Sequence, residues 1–358
     1  MGKYIYGIIK SSARVYPSPS FGPIGISGAE VYLVGAGDIA CIVSDSPPFD
    51  YRNKAKEVIA FHLSVYQSVI EKVMSAKGGS ASGGKDYTVL PVKFGTIVED
   101  KNEVRSLLLK GYQEIIESLD KMDNKTEFDV VALWSDFDSV LKEIGEEKEI
   151  KVLKAEINAV GTRHAVSLQD GIKIGKLVKV KLDKRRDKIL ELIQSRSAGL
   201  NRIAVDTCNH ECLDDKMIMN TAFLIERDKE TQFDKLINEI DEKLNKNVNF
   251  RCVGPLPPYS FSQVEVKKIG KEALKKGLSI LGLEKESSAG VYPPHLSLSA
   301  IKDAYRTLAR RYHPDMNPKE LKGSEQFNEL TQAYELLLDY SKGVENGKVS
   351  KNSIVIKL

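Results

Sequence analysis

Four cysteines and five histidines are the side chains of this 358-residue chain best suited to metal or nucleophilic chemistry, and their spacing argues against both. Cys208-Asn-His210-Glu-Cys212 could bring two thiolates and an imidazole together. Zinc takes four ligands, usually from paired C-x₂₋₄-C knuckles, and Cys252 is the remote candidate left for the fourth. A strand-to-turn segment with incidental cysteines is the better reading. Gly79-Ser-Ala-Ser-Gly-Gly84-Lys85 has phosphate-loop spacing, but Asp86 follows where Ser or Thr would hold Mg²⁺. It also runs from a helix into a strand, so the helix N-terminus that would receive the anion is missing. A flexible Gly/Ser loop fits. No Ser-His-Asp or Cys-His order with a supporting motif occurs, and His62, on the apolar stripe of a helix, reads as a satisfied core histidine. The sequence therefore predicts no enzyme, no metal and no cofactor, and surfaces that bind remain to be found.

The first lies at His313-Pro314-Asp315. Residues 298–312 alternate as an amphipathic helix, with Ile301, Tyr305, Leu308 and Tyr312 on one face. Ser299 is the expected N-cap. Lys302, Arg306 and Arg310, four apart, form a basic stripe on the opposite side, with Arg311 beside them. Pro314 lacks a backbone donor and disfavours helix at His313, so the chain must turn there. A second helix over 324–339 presents Phe327, Leu330, Tyr334 and Leu337. The two apolar stripes pack as an antiparallel pair and leave His313 and Asp315 at the open tip.

The second is Gly254-Pro255-Leu-Pro257-Pro258-Tyr259-Ser-Phe261. Three prolines directly after a strand make a stiff corner, and Tyr259 and Phe261 can pin it to a core.

The elements that must position these surfaces follow from periodicity. Short β-branched runs at 4–9, 31–34 and 39–44 predict strands, the last two joined through Gly35–Asp38 as a hairpin. A helix is expected over 53–74 with Val58, His62, Val65, Val69 and Val73 inward. A strand over 88–98 and a helix over 102–119 complete a first α+β unit. A second runs from the strand at 128–134 through charged helices at 135–158 and 176–197, strands at 203–207 and 220–226, a helix at 231–245 and a strand at 249–253. From Lys267 the pattern is all-helical, up to a polar tail at 343–358. The fold expected is α+β: two ferredoxin-like α+β domains at 1–125 and 126–266, then a small all-helical domain at 267–342.

Lys+Arg 53 against Asp+Glu 50 leaves +3, too little for bulk nucleic-acid binding. No apolar run reaches the roughly 20 residues a membrane helix needs. No signal-peptide pattern opens the chain, and the unpaired pattern of cysteines fits a reduced cytoplasm.

Two resemblances sharpen this. The strings Ile301-Lys-Asp-Ala-Tyr-Arg-Thr-Leu-Ala-Arg-Arg-Tyr-His-Pro-Asp315 and Phe327-Asn-Glu-Leu-Thr-Gln-Ala-Tyr-Glu-Leu-Leu338 resemble helices II and III of the J domain of the DnaJ family. Leu278-Ser-Ile-Leu-Gly-Leu283 is similar to the end of its helix I, although Gly277 and Leu278 stand where aromatic residues are usual. The resemblance implies that His313, Pro314 and Asp315, with Lys302, Arg306 and Arg310, dock on an Hsp70-type chaperone and stimulate its ATPase. Over residues 1–266, Gly254-Pro-Leu-Pro-Pro-Tyr-Ser-Phe261 resembles the GPWPPYxF signature of the gas vesicle protein F/L family, with Leu256 in place of Trp. Tyr4-Ile-Tyr-Gly-Ile8, Gly37-Asp-Ile-Ala-Cys-Ile-Val-Ser44, Val89-Leu-Pro-Val-Lys-Phe-Gly-Thr96 and Thr221-Ala-Phe-Leu-Ile225 agree with it in order. That resemblance implies an assembly role at the gas vesicle, through the small hydrophobic shell protein and other accessory proteins. The alternative is a general J-domain co-chaperone with a different client.

Overall fold

Strand β1 (Gly2–Lys10) is buried along nearly its whole length, so its near-continuous apolar run places it mid-sheet. The computed structural model describes residues 1–11, 20–51, 54–76, 87–160, 168–196, 198–244, 248–284, 296–312, 321–345 and 354–357. Their contacts divide the chain into two units, Met1–Asp123 with Ser262–Leu358, and Asn124–Phe261.

In the first unit β2 (Ser20–Gly22), β3 (Val31–Ala36) and β4 (Ile39–Ser46) precede α1 (Lys56–Met74). The β3–β4 hairpin closes through Gly37 and Asp38, with Ala36 opposite Ile39 and Gly37 at φ 63°. Helix α1 buries His62, Tyr66, Val69, Ile70 and Val73. Val58 is exposed and Val65 half-buried, because the helix carries a second apolar stripe through Tyr66 and Ile70 that wins the core. The strand expected over 88–98 is broken into β5 (Val89–Pro91) and β6 (Ile97–Val98) by a turn at Gly95, φ 84°. The sheet order is β2-β3-β4-β1-β5, with β6 also pairing β1. The helix expected over 102–119 is two, α2 (Lys101–Lys110) and α3 (Tyr112–Met122), interrupted at Gly111. Asp100 caps α2 by accepting from the Asn102 and Glu103 N–H groups at 2.8 Å.

The second unit runs β7 (Lys125–Trp134), α4 (Phe137–Gly145), α5 (Lys148–Val160), α6 (Leu168–Arg196), α7 (Ala198–Ile203), β8 (Ala204–Asn209), β9 (Met217–Glu226), α8 (Glu230–Lys243) and β10 (Val248–Leu256). Its antiparallel sheet has the order β10-β7-β9-β8. Phe128, Val130, Ala132 and Trp134 alternate onto the helix-covered face, where Phe233 packs on Phe128 and Phe223 with ring centroids 5.1 and 5.5 Å apart. Helix α6 begins two turns before the expected Lys176, since Gly171 and Gly175 lie in open space and are tolerated.

After Phe261 the chain rejoins the first unit. Val264, fully buried, bridges Val92, and its N–H and C=O meet Pro91 O and Lys93 N at 2.9 and 2.8 Å. β11 (Glu265–Lys268) leads into α9 (Lys271–Leu281), α10 (Leu298–Tyr312) and α11 (Leu321–Glu345), an all-helical region with its own core. The polar tail is not structureless: β12 (Ile354–Lys357) returns to pair antiparallel with β11, from Glu265↔Lys357 to Lys268↔Ile354. Among the described residues no helix is long and apolar enough to cross a membrane.

Candidate functional site

The helical region is built around α11, which packs along both α9 and α10. Helix α9 stops at Gly282, φ 68°, where the Leu283 N–H reaches back to Leu278 O at 2.9 Å. Leu278 and Leu283, both buried, close this left-handed stop against the core. The Leu-Gly-Leu string is therefore a helix terminator. Gly277 has its own reason: a Cβ there would sit 3.3 Å from Leu337 Cγ, so its absence lets α11 approach closely. Helix α10 spans the expected residues, but its cap differs. Ser297, not Ser299, caps it, its Oγ accepting from the Ala300 N–H at 3.1 Å, and Ser299 Oγ lies 2.9 Å from Ser297 Oγ.

Ile301 is fully buried, Ala304, Tyr305, Leu308 and Tyr312 are half-buried, and Tyr305 stacks on Tyr334 at 4.2 Å between centroids. These contacts fix the rotation of α10 and turn Lys302, Arg306 and Arg310 to solvent, with Arg311 beside them. Arg306 Nη1 lies 3.5 Å from Asp303 Oδ1, an exposed pair that adds little stability. Lys302 and Arg310 have no carboxylate partner among the described residues. Among the described residues Arg306 alone of the three meets a carboxylate, so the stripe is a net cationic face, suited to an acidic surface. His313, Pro314 and Asp315 lie outside the described residues, as does the Gly/Ser loop at 77–86. If an Hsp70-type chaperone is the partner, as the J-domain resemblance implies, reversing Lys302, Arg306 and Arg310 to Glu is expected to slow association with it by about tenfold or more and to flatten its salt dependence. Stopped-flow association across a salt series measures both. An unchanged rate would reduce the stripe to a solubilising face.

The proline corner is positioned differently from the sequence expectation. Gly254 and Pro255, joined by a cis peptide, lie within β10, which continues to Leu256. The ladder register shifts between Val253 and Leu256, and because β10 is an edge strand the missing proline N–H is tolerated. Gly254 is fixed by sterics, since a Cβ there would stand 2.4 Å from Phe128 Cδ1. Pro257 and Pro258 are buried, more so than the half-buried Tyr259 and Phe261 expected to pin the corner. The fastening comes from residues the sequence reading passed over. Ser260 donates its N–H to Glu127 Oε2 at 2.8 Å and its hydroxyl to Glu127 Oε1 at 2.7 Å, and Thr126 Oγ1 donates to Leu256 O at 3.0 Å. His210 Nε2 lies 3.0 Å from Ser260 Oγ, so His210 belongs to this corner. Among the described residues no group of His, Cys, Asp or Glu gathers as metal ligands would. His62 is 8% exposed with Nδ1 3.0 Å from the Tyr51 hydroxyl, and burial lowers its pKa. It is a satisfied core histidine.

Glu127 is 1% exposed, and burial raises its carboxyl to about 7, against the Ser260 bonds that pull it down and with the Asp129 charge that pushes it up. Burial raises Asp129 as well. Because the folded value exceeds the ordinary 4.5, the native state keeps a proton that the unfolded chain has lost between pH 4.5 and 7. The contribution of Glu127 to stability is therefore full below that window and is lost as pH rises through it, on the order of 3 kcal/mol. Urea titrations at pH 5 and pH 8, followed by the fluorescence of Trp134, the sole tryptophan, read this unit directly. Glu127→Gln is expected to flatten the difference. An equal pH response in the variant would remove Glu127 as its source.

Comparison with known proteins bears on both surfaces. The family profile described as gas vesicle synthesis protein GvpL/GvpF matches residues 2–263, nearly three quarters of the chain. The chain belongs to the GvpL/GvpF family. A gas vesicle protein F from Streptomyces sp. (strain CB03234) is 28% identical over 261 residues, covering 73% of this chain and 99% of that protein. The crystal structure of GvpF from Anabaena sp. PCC7120 shares the fold, with a TM-score of 0.55 and 23% identity over 73% of this chain and 98% of that one. The signature corner and Glu127 thus lie inside the GvpL/GvpF part. A DnaJ domain profile matches residues 279–343. There, chaperone protein DnaJ of Mycoplasma mobile is 50% identical over 60 residues, which are 17% of this chain but 13% of that protein. This GvpL/GvpF-family chain therefore carries a DnaJ-domain segment as well.

Proposed function

We propose that this protein is a gas vesicle assembly factor that holds the small hydrophobic shell protein with its GvpL/GvpF part and recruits an Hsp70-type chaperone with its helical hairpin. The observation that carries the reading is the cationic stripe of Lys302, Arg306 and Arg310. It is held outward by a packed helical core and leads directly into His313-Pro314-Asp315, on a chain whose first 263 residues match GvpL/GvpF. In this reading His313, Pro314 and Asp315 are contact residues, and Gly254, Pro255, Pro257, Pro258, Tyr259 and Phe261 are structural. The protein works in the cytoplasm, at the vesicle or its nucleation complex, alongside other accessory proteins. A wall-forming protein exposes apolar faces and strand edges until it assembles. Joining its binder to a chaperone recruiter raises the local concentration of chaperone at that client.

The order β-α-β-β-α-β with sheet order β10-β7-β9-β8 supports a ferredoxin-like second domain at 126–266. The first domain at 1–125 departs from that order, since among the described residues a single 3₁₀ turn, Ile26–Gly28, is the helical element between β1 and β3. The helical domain at 267–342 and the tail at 343–358 complete the division.

Pull-down of shell protein and a steady-state ATPase assay, on the full chain and on a chain ending at Val266, test the two roles. The full chain should hold shell protein and stimulate the chaperone, and the shorter chain should do only the first. A shorter chain that melts cooperatively yet releases shell protein would sink the client half of the proposal.

A further inference from the structure

β8 is the edge strand of the second sheet, and on its outer side no strand pairs with it among the described residues. Four of its six residues are exposed, Val205 at 52%. The His210 N–H donates to Asn220 O at 2.8 Å, so the two-residue alternation turns the polar backbone of Cys208 toward β9 and that of Thr207 and Asn209 outward. The Thr207 N–H is held by its neighbour's carboxylate, Asp206 Oδ1, at 2.9 Å, a local bond on an exposed strand that an incoming carbonyl can replace. Beside this edge, on the helix-covered face, a groove of about 500 Å³ lies between α6 and the β8–β9 pair. Ile193, Ile218, Met219 and Phe223 contribute apolar walls, and Gln194, Thr207 and Asn209 line it as well.

An unpaired edge beside a groove that can take alternate side chains is the geometry of strand addition, in which backbone bonds hold the ligand and the groove selects it. We propose that the outer edge of β8 accepts an extended apolar segment of the client, whose alternate large side chains enter the groove. This rests on the shell-protein reading above and assigns the surface that carries it. A second copy of β8 is a poor occupant, because its Val205, Thr207 and Asn209 side chains are too small to fill the groove. The hydrophobic shell protein, able to supply both an extended backbone and large apolar side chains, fits both features.

Thr207→Pro in the full chain is the direct test. It removes an N–H that makes no bond to β9, so the sheet keeps its own ladder while strand addition is blocked. Gln194→Trp, on the exposed side of α6, fills the groove without touching β8. In pull-downs with co-expressed gas vesicle shell protein, each variant should retain about tenfold less than the unaltered chain, while Trp134-independent melting and chaperone stimulation stay unchanged. Hydrogen exchange should show the Thr207 and Asn209 amides protected by shell protein. If Thr207→Pro unfolds, Gln194→Trp and the exchange data decide. Full retention by the folded variants, with the unaltered chain binding, overturns the β8 edge and leaves the client reading standing. An unaltered chain that binds no shell protein overturns both. A β8-dependent dimer with undiminished client binding overturns the edge as a client site.

Discussion

Replacing His313 by Gln is expected to abolish stimulation of the partner chaperone's ATPase while leaving shell-protein retention and helical content unchanged. The expectation follows from position as well as resemblance. Helix α10 ends at Tyr312, its rotation set by Ile301 and the Tyr305–Tyr334 stack, and His313 follows it directly in sequence, just past the exposed Arg310 and Arg311 in the chain. Gln keeps roughly the size and hydrogen-bonding capacity of an imidazole but not its ring shape. Steady-state ATPase with matched circular dichroism measures the loss. Undiminished stimulation would mean that the hairpin is a scaffold without a docking tip.

Leu337→Ala should act on the same readout by a different route. Leu337 is fully buried, and α9 comes near enough at Gly277 that its side chain fills the contact between the helices. Truncation should cost about 2–5 kcal/mol, because closely packed helices cannot collapse fully around the void. That is a large share of what a small helical core supplies. Chaperone stimulation should fall with the melting of the hairpin, whereas the Trp134 transition of the second unit should not move. Leu337→Met, of similar volume, should recover most of both. A loss of stimulation in Leu337→Ala without a change in hairpin stability would point to a direct contact and not to packing.

Much of this architecture was legible because local chemistry and tertiary packing agree. The β3–β4 hairpin needed Gly37 at its turn, and α10 and α11 each present one apolar face. Where two signals competed, the sequence misled. Helix α1 has apolar residues on more than one side, and Val58 lost the core to Tyr66 and Ile70. The 88–98 run is β-prone at both ends, yet Gly95 turns it, and the turn is tied by the Gly95 N–H to the buried Tyr4 hydroxyl at 2.9 Å, a contact 91 residues away in sequence. Glu127 gave one readable sign, its alternation with Asp129 on the side of β7 opposite Phe128. What makes it matter is Ser260, far along the chain, so only folding reveals it. The strand at 354–357 was hidden because a three-residue apolar run (Ile354–Ile356) in a polar tail forms a strand only when a partner such as Glu265–Lys268 is waiting.

That β11–β12 ladder makes the helical segment an excursion from a fixed stem: it leaves and re-enters at neighbouring points, beside the anchored Val264. Such a stem is indifferent to how much chain it encloses, since doubling a closed loop costs only about 0.6 kcal/mol. The hairpin is therefore exchangeable cargo. A longer helical recruiter, or a different one altogether, could be grafted between Lys268 and Ile354 while the GvpL/GvpF framework beneath it stays as it is.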